Sequence, residues 1–322
     1  MKKLKVAVIG AGQIASGYDI VKDKNILTHA KAIKHNESLE LLGFYDNDKN
    51  KALEAAQKWG TVVIESIEYI EENADVICIA VPDAFHYDYL KRFTGKNNVK
   101  AVIIEKPLTD CLEKVGELEE RCERDTKLYF VNYSRRFISE FQHLKTWINH
   151  DAGKLICGAC YYGKGVLHNC SHLINLFLYL FEEVKPLAVT RNIVDYSKDD
   201  PSAEFLMKID EATVAFFPIP CTEITVFDFD LFFENGKIHC DGEKNVIVYY
   251  KKGSSVVYRD ETNYIKNIEV QIDGSSAMRG LYKNVCDVLN GNGEIVSGIH
   301  DAAKTVEICC EIRDTCLAKN VL

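Results

Sequence analysis

The chain lacks a long apolar run and a basic cluster, and each absence excludes a class of protein. None of its apolar runs approaches the roughly 18 to 20 residues that a membrane-spanning helix needs. Its 39 Lys and Arg residues are outnumbered by 48 Asp and Glu residues, which gives a net charge of −9. Because a nucleic-acid-binding surface needs clustered Lys and Arg, this balance argues against nucleic acid as a partner. The start, MKKLKVAVIGAG, contains no small-residue cleavage site, so we expect a cytoplasmic protein.

A second pair of closely spaced cysteines is also missing. The chain has twelve cysteines, but they are scattered and mostly lie in apolar segments, where cysteine behaves as a small buried hydrophobe. Cys157 and Cys160 have a suggestive spacing, yet a structural zinc site would need another such pair. LICGACYYG is predicted to be a strand, which directs the two thiols to opposite faces and argues against a redox pair.

What the chain does contain is an alternation of strand and helix patterns over its first 125 or so residues. KVAVIG, LELLGFYD, ADVICIAV and KAVIIE are short apolar runs typical of strands, and helical periodicity lies between them. This order predicts a parallel sheet with right-handed crossovers, which is an α/β, doubly wound Rossmann fold.

After about Arg135 the pattern changes to one strand after another. Sequences such as ENGK and CDGEK are typical of hairpin turns, and two predicted helices end the chain. The sequence therefore predicts a C-terminal α+β domain with a large, predominantly antiparallel open sheet. Since 322 residues exceed one typical core, we divide the chain into a dinucleotide-binding domain, residues 1–125, and a substrate-binding and oligomerisation domain, residues 126–322.

GAGQIAS, residues 10–16, follows the first predicted strand and forms a glycine turn. Gly10 permits the tight turn, Gly12 lets the backbone approach a pyrophosphate, and the small Ala15 lets helix and strand pack closely. Asp46 ends the second predicted strand, where a carboxylate accepts from a ribose 2′-hydroxyl and repels a 2′-phosphate. The alternative is a glycine turn in another kind of doubly wound protein. We predict NAD(H) in preference to NADP(H), bound by Gly10, Gly12, Gln13, Ile14 and Asp46.

Two further segments, AVPDAFHYDYL and IIEKPLTD, lie where the fourth and fifth strands should end. Sheets of this kind bind ligands at that edge. A lysine near a nicotinamide can donate a proton or a hydrogen bond to a substrate oxygen, and Lys106 is a candidate for this role. The alternative is that Lys106 is a solvated lysine after a strand. The neighbouring Glu105 is a candidate to hold the lysine in place. We predict further cofactor contacts from Val81, Pro82, Asp83, His86, Glu105 and Lys106.

Three motifs together resemble the Gfo/Idh/MocA family of glucose–fructose oxidoreductases and inositol dehydrogenases. They are GxGxxA after the first strand, V-P-D-x-x-H after the fourth and E-K-P after the fifth. NYSRRF, residues 132–137, and the α+β second domain are similar to that family as well, so the resemblance covers essentially the whole chain. It implies an NAD(P)-dependent oxidoreductase in which the E-K-P lysine, Lys106, contacts both the sugar hydroxyl and the cofactor.

The resemblance also implies a role for the segment VLHNCSHLIN, residues 166–175. The family carries D-x-G-x-H-x-x-D there, which makes His172 the catalytic histidine, a general base on the hydroxyl or an acid in the reverse direction. His168 replaces the first aspartate, Ser171 the glycine and Asn175 the last aspartate. These departures bear on the direction and pH dependence of the reaction rather than on its class.

Two histidines four residues apart lie on one helix face, so a metal clip and a structural role are alternatives to proton handling. A third ligand is not recognisable from spacing, and position 169 is Asn where an HExxH motif has Glu. We therefore predict no metal.

We predict hydride transfer between nicotinamide and a hydroxyl or keto carbon of a sugar, cyclitol or nucleotide sugar. His172 exchanges the hydroxyl proton and Lys106 polarises the oxygen. Substrate contacts are predicted for Asn175, His168, Arg136 and Tyr162, with Tyr133, Tyr161, Lys164 and Tyr282 as weaker candidates.

Two other functions remain open. One is a regulator that binds dinucleotide and sugar without chemistry, and the other is a redox-neutral enzyme that uses bound NAD transiently. Retention of Lys106 and His172 argues against the regulator, and the two missing aspartates argue for it.

The second-domain sheet suggests a homodimer or homotetramer. ITVFDFDLFF alternates apolar and polar residues, and we expect its apolar side, with Phe227 and Phe229, to be buried against another subunit.

Overall fold

The computed structural model describes residues 2–95, 98–220, 223–255, 257–258 and 260–319. The chain forms two compact units. The first unit comprises Met1–Phe137 and Ser275–Val306, and the second comprises Ile138–Gly274 and Glu307–Leu322. Within the described ranges, no helix is both long and apolar enough to span a bilayer.

The first unit is built on a six-stranded parallel sheet. Its strands are β1 (Leu4–Ile9), β2 (Leu39–Tyr45), β3 (Val62–Val63), β4 (Val76–Ile79), β5 (Ala101–Ile104) and β6 (Leu128–Val131), in the order β3-β2-β1-β4-β5-β6. The helices between them are α1 (His29–Lys34), α2 (Lys49–Trp59), α3 (Ile67–Asn73), α4 (His86–Phe93) and α5 (Leu112–Glu123). β4 and β5 are buried at every residue, as expected of strands covered on both faces. The predicted doubly wound α/β fold is confirmed.

The second unit is built on an eight-stranded, mostly antiparallel sheet. Its strands are β7 (Leu155–Tyr162), β8 (Val184–Ile193), β9 (Ser202–Ile209), β10 (Ala212–Pro218), β11 (Phe227–Phe233), β12 (Gly236–Asp241), β13 (Val246–Ser254) and β14 (Thr262–Gln271). Their order is β14-β13-β12-β11-β7-β10-β9-β8, and β7 and β10 form the parallel pair. Two helices, α6 (Ser139–His150) and α7 (Ser171–Leu180), belong to this unit. The α+β prediction is also confirmed, and Cys157 of β7 is exposed while Cys160 is buried, as strand alternation predicts.

The apolar side of β11 is covered by helices of the same unit. The Phe229 ring lies 5.8 Å from that of Phe177 on α7, and the Phe227 ring lies 6.4 Å from that of Phe141 on α6. Phe229 is fully buried. The expectation that this side of the strand packs against another subunit is therefore wrong, because its partners are α6 and α7.

Two helices follow β14, α8 (Ser276–Leu289) and α9 (Ile299–Lys319). α8 packs within the first unit, where a Cβ built on Gly280 would lie 2.4 Å from the carbonyl oxygen of Phe137. β6 pairs with β5, Leu128 lying opposite Ala101. The division proposed at residue 125 thus differs from the compact units, since it separates both β6 and α8 from the sheet they join.

Candidate functional site

The glycine turn after β1 is shaped by close contact with the chain after β4. Gly10 has a φ of 95°, and a Cβ there would lie 2.4 Å from the carbonyl oxygen of Ala80. Only glycine fits this position. A Cβ on Gly12 would meet no atom within 4 Å, so the space beside Gly12 is open. Ala15 is buried in the single helical turn Gln13–Gly17, while Gln13 is exposed and Ile14 is half-buried.

Asp46 joins the end of β2 to this turn. Its Oδ2 accepts a hydrogen bond from the Ala11 amide at 2.8 Å, and its Oδ1 accepts one from the Asp48 amide at 2.8 Å. The carboxylate is therefore fixed beside the turn. Each carboxylate oxygen can accept a second hydrogen bond, which leaves capacity for ribose hydroxyls.

A cleft of about 320 Å³ opens at this edge of the first sheet. The open space at Gly12 and the acceptors of Asp46 suit a dinucleotide, so the residues present fit that cofactor. Of the predicted cofactor contacts, five line the cleft: Gly10, Gly12, Asp46, Val81 and Pro82. Sequence reasoning missed six further lining residues, Asn47, Asp48, Lys51, Ala80, Phe85 and Tyr89. Exposure of the large Phe85 side chain in the segment after β4 is consistent with a ligand-facing position.

His86 ties together the two loops that follow β4 and β5. Its Nδ1 lies 2.7 Å from the carbonyl oxygen of Pro107, and its Nε2 lies 2.9 Å from that of Val81. The ring is buried, so its place in the structure is between the loops. Asp83 is exposed and accepts a hydrogen bond from the Ala84 amide at 3.0 Å.

Glu105 lies at the centre of a cluster that the sequence did not reveal. Its Oε1 is 2.8 Å from Nε2 of His29 and accepts a hydrogen bond from Nδ2 of Asn132 at 2.6 Å. The Nδ1 of His29 lies 3.0 Å from the hydroxyl of Tyr282 on α8. Burial raises the pKa of Glu105, but His29, Asn132 and Lys106 together lower it below its ordinary value. Tyr282 is thus a buried member of this cluster, and the half-buried Lys106 follows Glu105 directly.

Arg136 is engaged inside the first unit. Its Nη1 lies 2.8 Å from Oδ2 of Asp301 and 3.3 Å from the carbonyl oxygen of Val296. Both Arg136 and the nearby Tyr133 are almost fully buried. The structure therefore places Arg136 in an ion pair with Asp301, at the start of α9.

In the second unit, Asp200 fixes the turn that carries His168. The carboxylate accepts hydrogen bonds from the amides of Leu167 and His168, both at 2.8 Å. Gly165, which precedes the turn, has a φ of 84°, and a Cβ there would lie 2.3 Å from Oδ2 of Asp200. Burial raises the pKa of Asp200 although these amides lower it. Sequence reasoning missed Asp200, which lies 32 residues beyond His168.

The two predicted histidines lie on the turn Val166–Cys170 and on α7. The ring of His168 stacks on Tyr196, with centroids 4.3 Å apart and planes 10° apart. His172 is half-buried, and Asn175, one turn further along α7, is buried. His168 and Tyr196 thus form a flat aromatic pair beside the first turn of α7.

Tyr162 lies in the core of the second unit. Its hydroxyl donates to the carbonyl oxygen of Ala203 at 2.6 Å and accepts from the Ala203 amide at 2.8 Å. The neighbouring Tyr161 stacks on Phe217 on the other face of the sheet, and Nζ of Lys164 donates to Oγ1 of Thr225 at 2.8 Å. The hydroxyl of Tyr162, a predicted substrate contact, therefore bonds to the backbone of Ala203.

Among the residues that the structure describes, Glu119, Glu123 and His300 have ligand atoms close enough together to hold a metal ion. They lie on α5 and at the start of α9, and the group includes neither His168 nor His172.

Comparison with known proteins found a family model, a sequence relative and solved structures that are similar to this chain. Residues 4–133 match the family model of the Gfo/Idh/MocA oxidoreductases, described as an oxidoreductase family with an NAD-binding Rossmann fold. The predicted resemblance is confirmed for these residues. Glucose-6-phosphate 3-dehydrogenase of Bacillus subtilis (strain 168) is 26% identical over 153 residues, 47% of this chain. The match spans 40% of that relative's length.

Solved structures share the fold over essentially the whole chain. UDP-N-acetylglucosamine 3-dehydrogenase from Acidithiobacillus ferrooxidans has a TM-score of 0.79 at 15% identity, with 99% of both chains covered. An oxidoreductase from Sinorhizobium meliloti has a TM-score of 0.77 at 14% identity, with 100% of this chain and 99% of that chain covered. At these identities the likeness shows the fold alone.

Proposed function

We propose that this chain, whose residues 4–133 carry the NAD-binding Rossmann fold of the Gfo/Idh/MocA oxidoreductases, is a dehydrogenase or reductase. It transfers a hydride between NAD and a hydroxyl or keto carbon of a sugar, cyclitol or nucleotide sugar. The observation that carries the proposal is the shared edge of the first sheet. β1, β4 and β5 are parallel neighbours, so the glycine turn, the segment from Val81 and the segment from Glu105 all leave the sheet at one edge.

Each residue has a stated role in the proposed reaction. Gly10, Gly12 and Asp46 hold the cofactor, which supplies the hydride acceptor or donor when it is bound. Lys106 donates a hydrogen bond to the reacting oxygen and so stabilises charge on it. His172 exchanges the hydroxyl proton, and His168 and Asn175 contact the ring of the substrate.

NAD is the proposed cofactor in preference to NADP. Asp46 supports this choice, because its carboxylate lines the cleft and repels a 2′-phosphate. Lys51 also lines the cleft. Its positive charge attracts a 2′-phosphate and so opposes the preference for NAD.

The relatives' names narrow the first substrates to test. Two of them are 3-dehydrogenases of hexose derivatives, one phosphorylated and one carrying UDP. We propose a hexose derivative as substrate, with the hydroxyl at position 3 as the first candidate for the reacting group.

The experiment is absorbance at 340 nm with NAD or NADH and a panel of sugars, cyclitols, sugar phosphates and nucleotide sugars. We expect one class to give a substrate-dependent change. Lys106→Met should abolish that change while calorimetry still detects NAD binding, and Lys3→Met, which alters an exposed lysine, should leave the rate at the wild-type value.

Other outcomes identify the alternatives. NAD binding without any absorbance change or product indicates the regulator. Product formation without a net absorbance change indicates the redox-neutral enzyme. Either result contradicts the proposed net hydride transfer.

We further propose that the protein forms a homo-oligomer through the outer face of the C-terminal sheet. This face presents Tyr161 and Phe217 as a stacked pair, and Phe232 beside Tyr264. Partly exposed aromatic side chains of this kind are common in subunit interfaces. Phe232→Glu should reduce the mass in light scattering to that of a monomer, and an unchanged mass with retained folding would contradict this interface.

A further inference from the structure

Tyr196 forms an exposed aromatic surface in the second unit, on the segment that follows β8. Its ring stacks on that of His168, with centroids 4.3 Å apart and planes 10° apart. This contact covers one face of the tyrosine, yet 51% of the residue remains exposed. A ring that is buried on one face contributes less to stability than a fully buried ring, so core packing alone does not account for Tyr196.

The surface that carries this stacked pair also includes His172. From Gly165 to Phe177 every residue is buried except His168 and His172, which are half-buried. The two histidines are four residues apart, which places them on one side of the chain about one helical turn from each other. They therefore reach the surface side by side, and Tyr196 extends this surface on the side of His168.

Hydrogen bonds through Asp200 join the two segments that supply the stacked rings. Its Oδ2 accepts a hydrogen bond from the His168 amide at 2.8 Å. The Asp200 amide donates to Oγ of Ser197, the residue after Tyr196, at 3.0 Å. Because the backbone on both sides of the stack is fixed in this way, binding of a ligand to it loses little conformational entropy.

An exposed aromatic face of this kind suits one face of a hexose ring. The face of an aromatic ring carries partial negative charge, and it attracts the weakly positive C–H groups on one side of a pyranose. His172 is proposed to exchange the proton of the reacting hydroxyl, so a surface one helical turn away is within reach of the same sugar ring. The base of a nucleotide sugar lies further off, because two phosphates and a ribose separate it from the hexose.

We propose that Tyr196, stacked on His168, binds the C–H face of a hexose ring and so orients the hydroxyls of the sugar towards His172. Tyr196 is then a specificity-determining residue that the sequence did not indicate, since it lies on the far side of β8 from the two histidines. This inference rests on the proposed function, from which it takes the hexose and the role of His172, but sugar binding is measurable without turnover.

The first test is the affinity of the full chain for two probes, UDP-N-acetylglucosamine and glucose 6-phosphate, measured by calorimetry. NADH is present, so that the hydroxyl of the probe is not oxidised. Tyr196→Ala should raise the Kd of a probe that binds by about three- to tenfold. Tyr196→Phe keeps the flat ring and should stay within about twofold of the wild type, as should Tyr258→Ala, which alters an exposed tyrosine of the same unit. An unchanged Kd in Tyr196→Ala, or a wild type that binds neither probe, overturns the proposal.

The second test is saturation-transfer NMR, which identifies the ligand protons that contact the protein. With UDP-N-acetylglucosamine, we expect Tyr196→Ala to weaken the transfer to the hexose protons relative to the uracil protons. With glucose 6-phosphate, the transfer to the protons on one face of the ring should weaken. A selective loss at the uracil protons would assign Tyr196 to the base and overturn the proposal.

Tyr196→Leu separates sugar binding from packing of the segment after β8. Leucine restores apolar volume but not a flat face, so this variant should have a Tm near that of the wild type and the weakened affinity of Tyr196→Ala. If Tyr196→Leu restores both Tm and affinity, the ring serves only to pack the segment, and the proposal is wrong.

Turnover distinguishes failure of this inference from failure of the proposed function. If the wild type transfers hydride, Tyr196→Ala should raise KM for the hexose by about three- to tenfold. KM for NAD should stay within about twofold, because the glycine turn and Asp46 are untouched. If hexose binding depends on Tyr196 but the wild type transfers no hydride, only the proposed function fails. If hydride is transferred and KM for the hexose is unchanged in Tyr196→Ala, only the inference fails.

Discussion

Asp46 has two tasks at the residue scale, since one carboxylate both anchors the Ala11 amide and faces the cleft. We predict that Asp46→Ser lowers kcat/KM for NAD and raises the NADP-to-NAD ratio of kcat/KM. The variant loses the hydrogen bonds that the Asp46 carboxylate would accept from the cofactor, and hydrogen bonds to a charged group are worth about 1.5–3 kcal/mol. This corresponds to a decrease of roughly ten- to hundredfold in kcat/KM for NAD. Steady-state kinetics with both cofactors measures the ratio, and an unchanged ratio would show that Asp46 does not set the preference.

His29 links the cluster around Glu105 to the pH dependence of stability. Its folded pKa of about 10 lies above the ordinary value of 6.5, so its contribution is fully present below pH 6.5 and is lost as pH rises through about 10. We predict that His29→Gln lowers the free energy of unfolding by about 3–5 kcal/mol near pH 6.5. Urea unfolding at several pH values should show this difference shrinking towards pH 10. A difference that grows with pH would contradict it.

The glycine turn could be predicted from the sequence, because Gly10 and Gly12 directly follow the first strand and Asp46 directly follows the second. The cluster around Glu105 was not predictable in the same way. His29 and Tyr282 come from helices that meet Glu105 only after folding, and neither has a neighbour in sequence that indicates its partner. The same holds for Asp200, whose hydrogen bonds to the turn of His168 span more than 30 residues.

At the scale of elements, β11 shows what an alternating pattern does and does not say. Alternation indicates that one side of a strand is buried, but the covering element follows from the topology. Here α6 and α7 supply the cover, so Phe227 and Phe229 are core residues.

We predict that Phe229→Ala lowers the free energy of unfolding by about 3–5 kcal/mol, because it removes a fully buried aromatic ring. The molecular mass of the folded protein in light scattering should not change. Leu187→Ala, which alters an exposed side chain of the same unit, is the control and should cost less stability. Conversion of Phe229→Ala to a folded monomer would contradict the assignment of this side to the core.

At the scale of the whole molecule, the chain enters the first unit twice. Residues 275–306 contribute α8, whose Met278, Leu281 and Val285 belong to the core beside the first sheet. The carbonyl oxygen of Ser297 accepts a hydrogen bond from the Val131 amide at 3.0 Å. The periodicity of α8 predicts a helix with one apolar face, but it does not say which sheet covers that face.

We predict that residues 1–137 joined by a flexible linker to residues 275–306 fold cooperatively and bind NAD. Residues 1–137 alone should lack a cooperative thermal transition, since the apolar side of α8 is missing from their core. Circular dichroism and calorimetry compare the two fragments. Equal stability and NAD affinity in both would show that α8 is dispensable for the first unit.

The contact between Gly165 and Asp200 has a consequence for how related sequences vary. The carboxylate occupies the space that a side chain at position 165 would need, and the backbone there has a φ of 84°. Among descendants of a common ancestor, an acidic residue at position 200 should therefore occur together with glycine at position 165. Loss of the acid at 200 would not by itself admit a larger residue at 165, because the carbonyl oxygen of Asp200 also lies 2.9 Å from a Cβ built there and the φ of 84° strains any side chain. Glycine at 165 should therefore be kept in more descendants than the acid at 200.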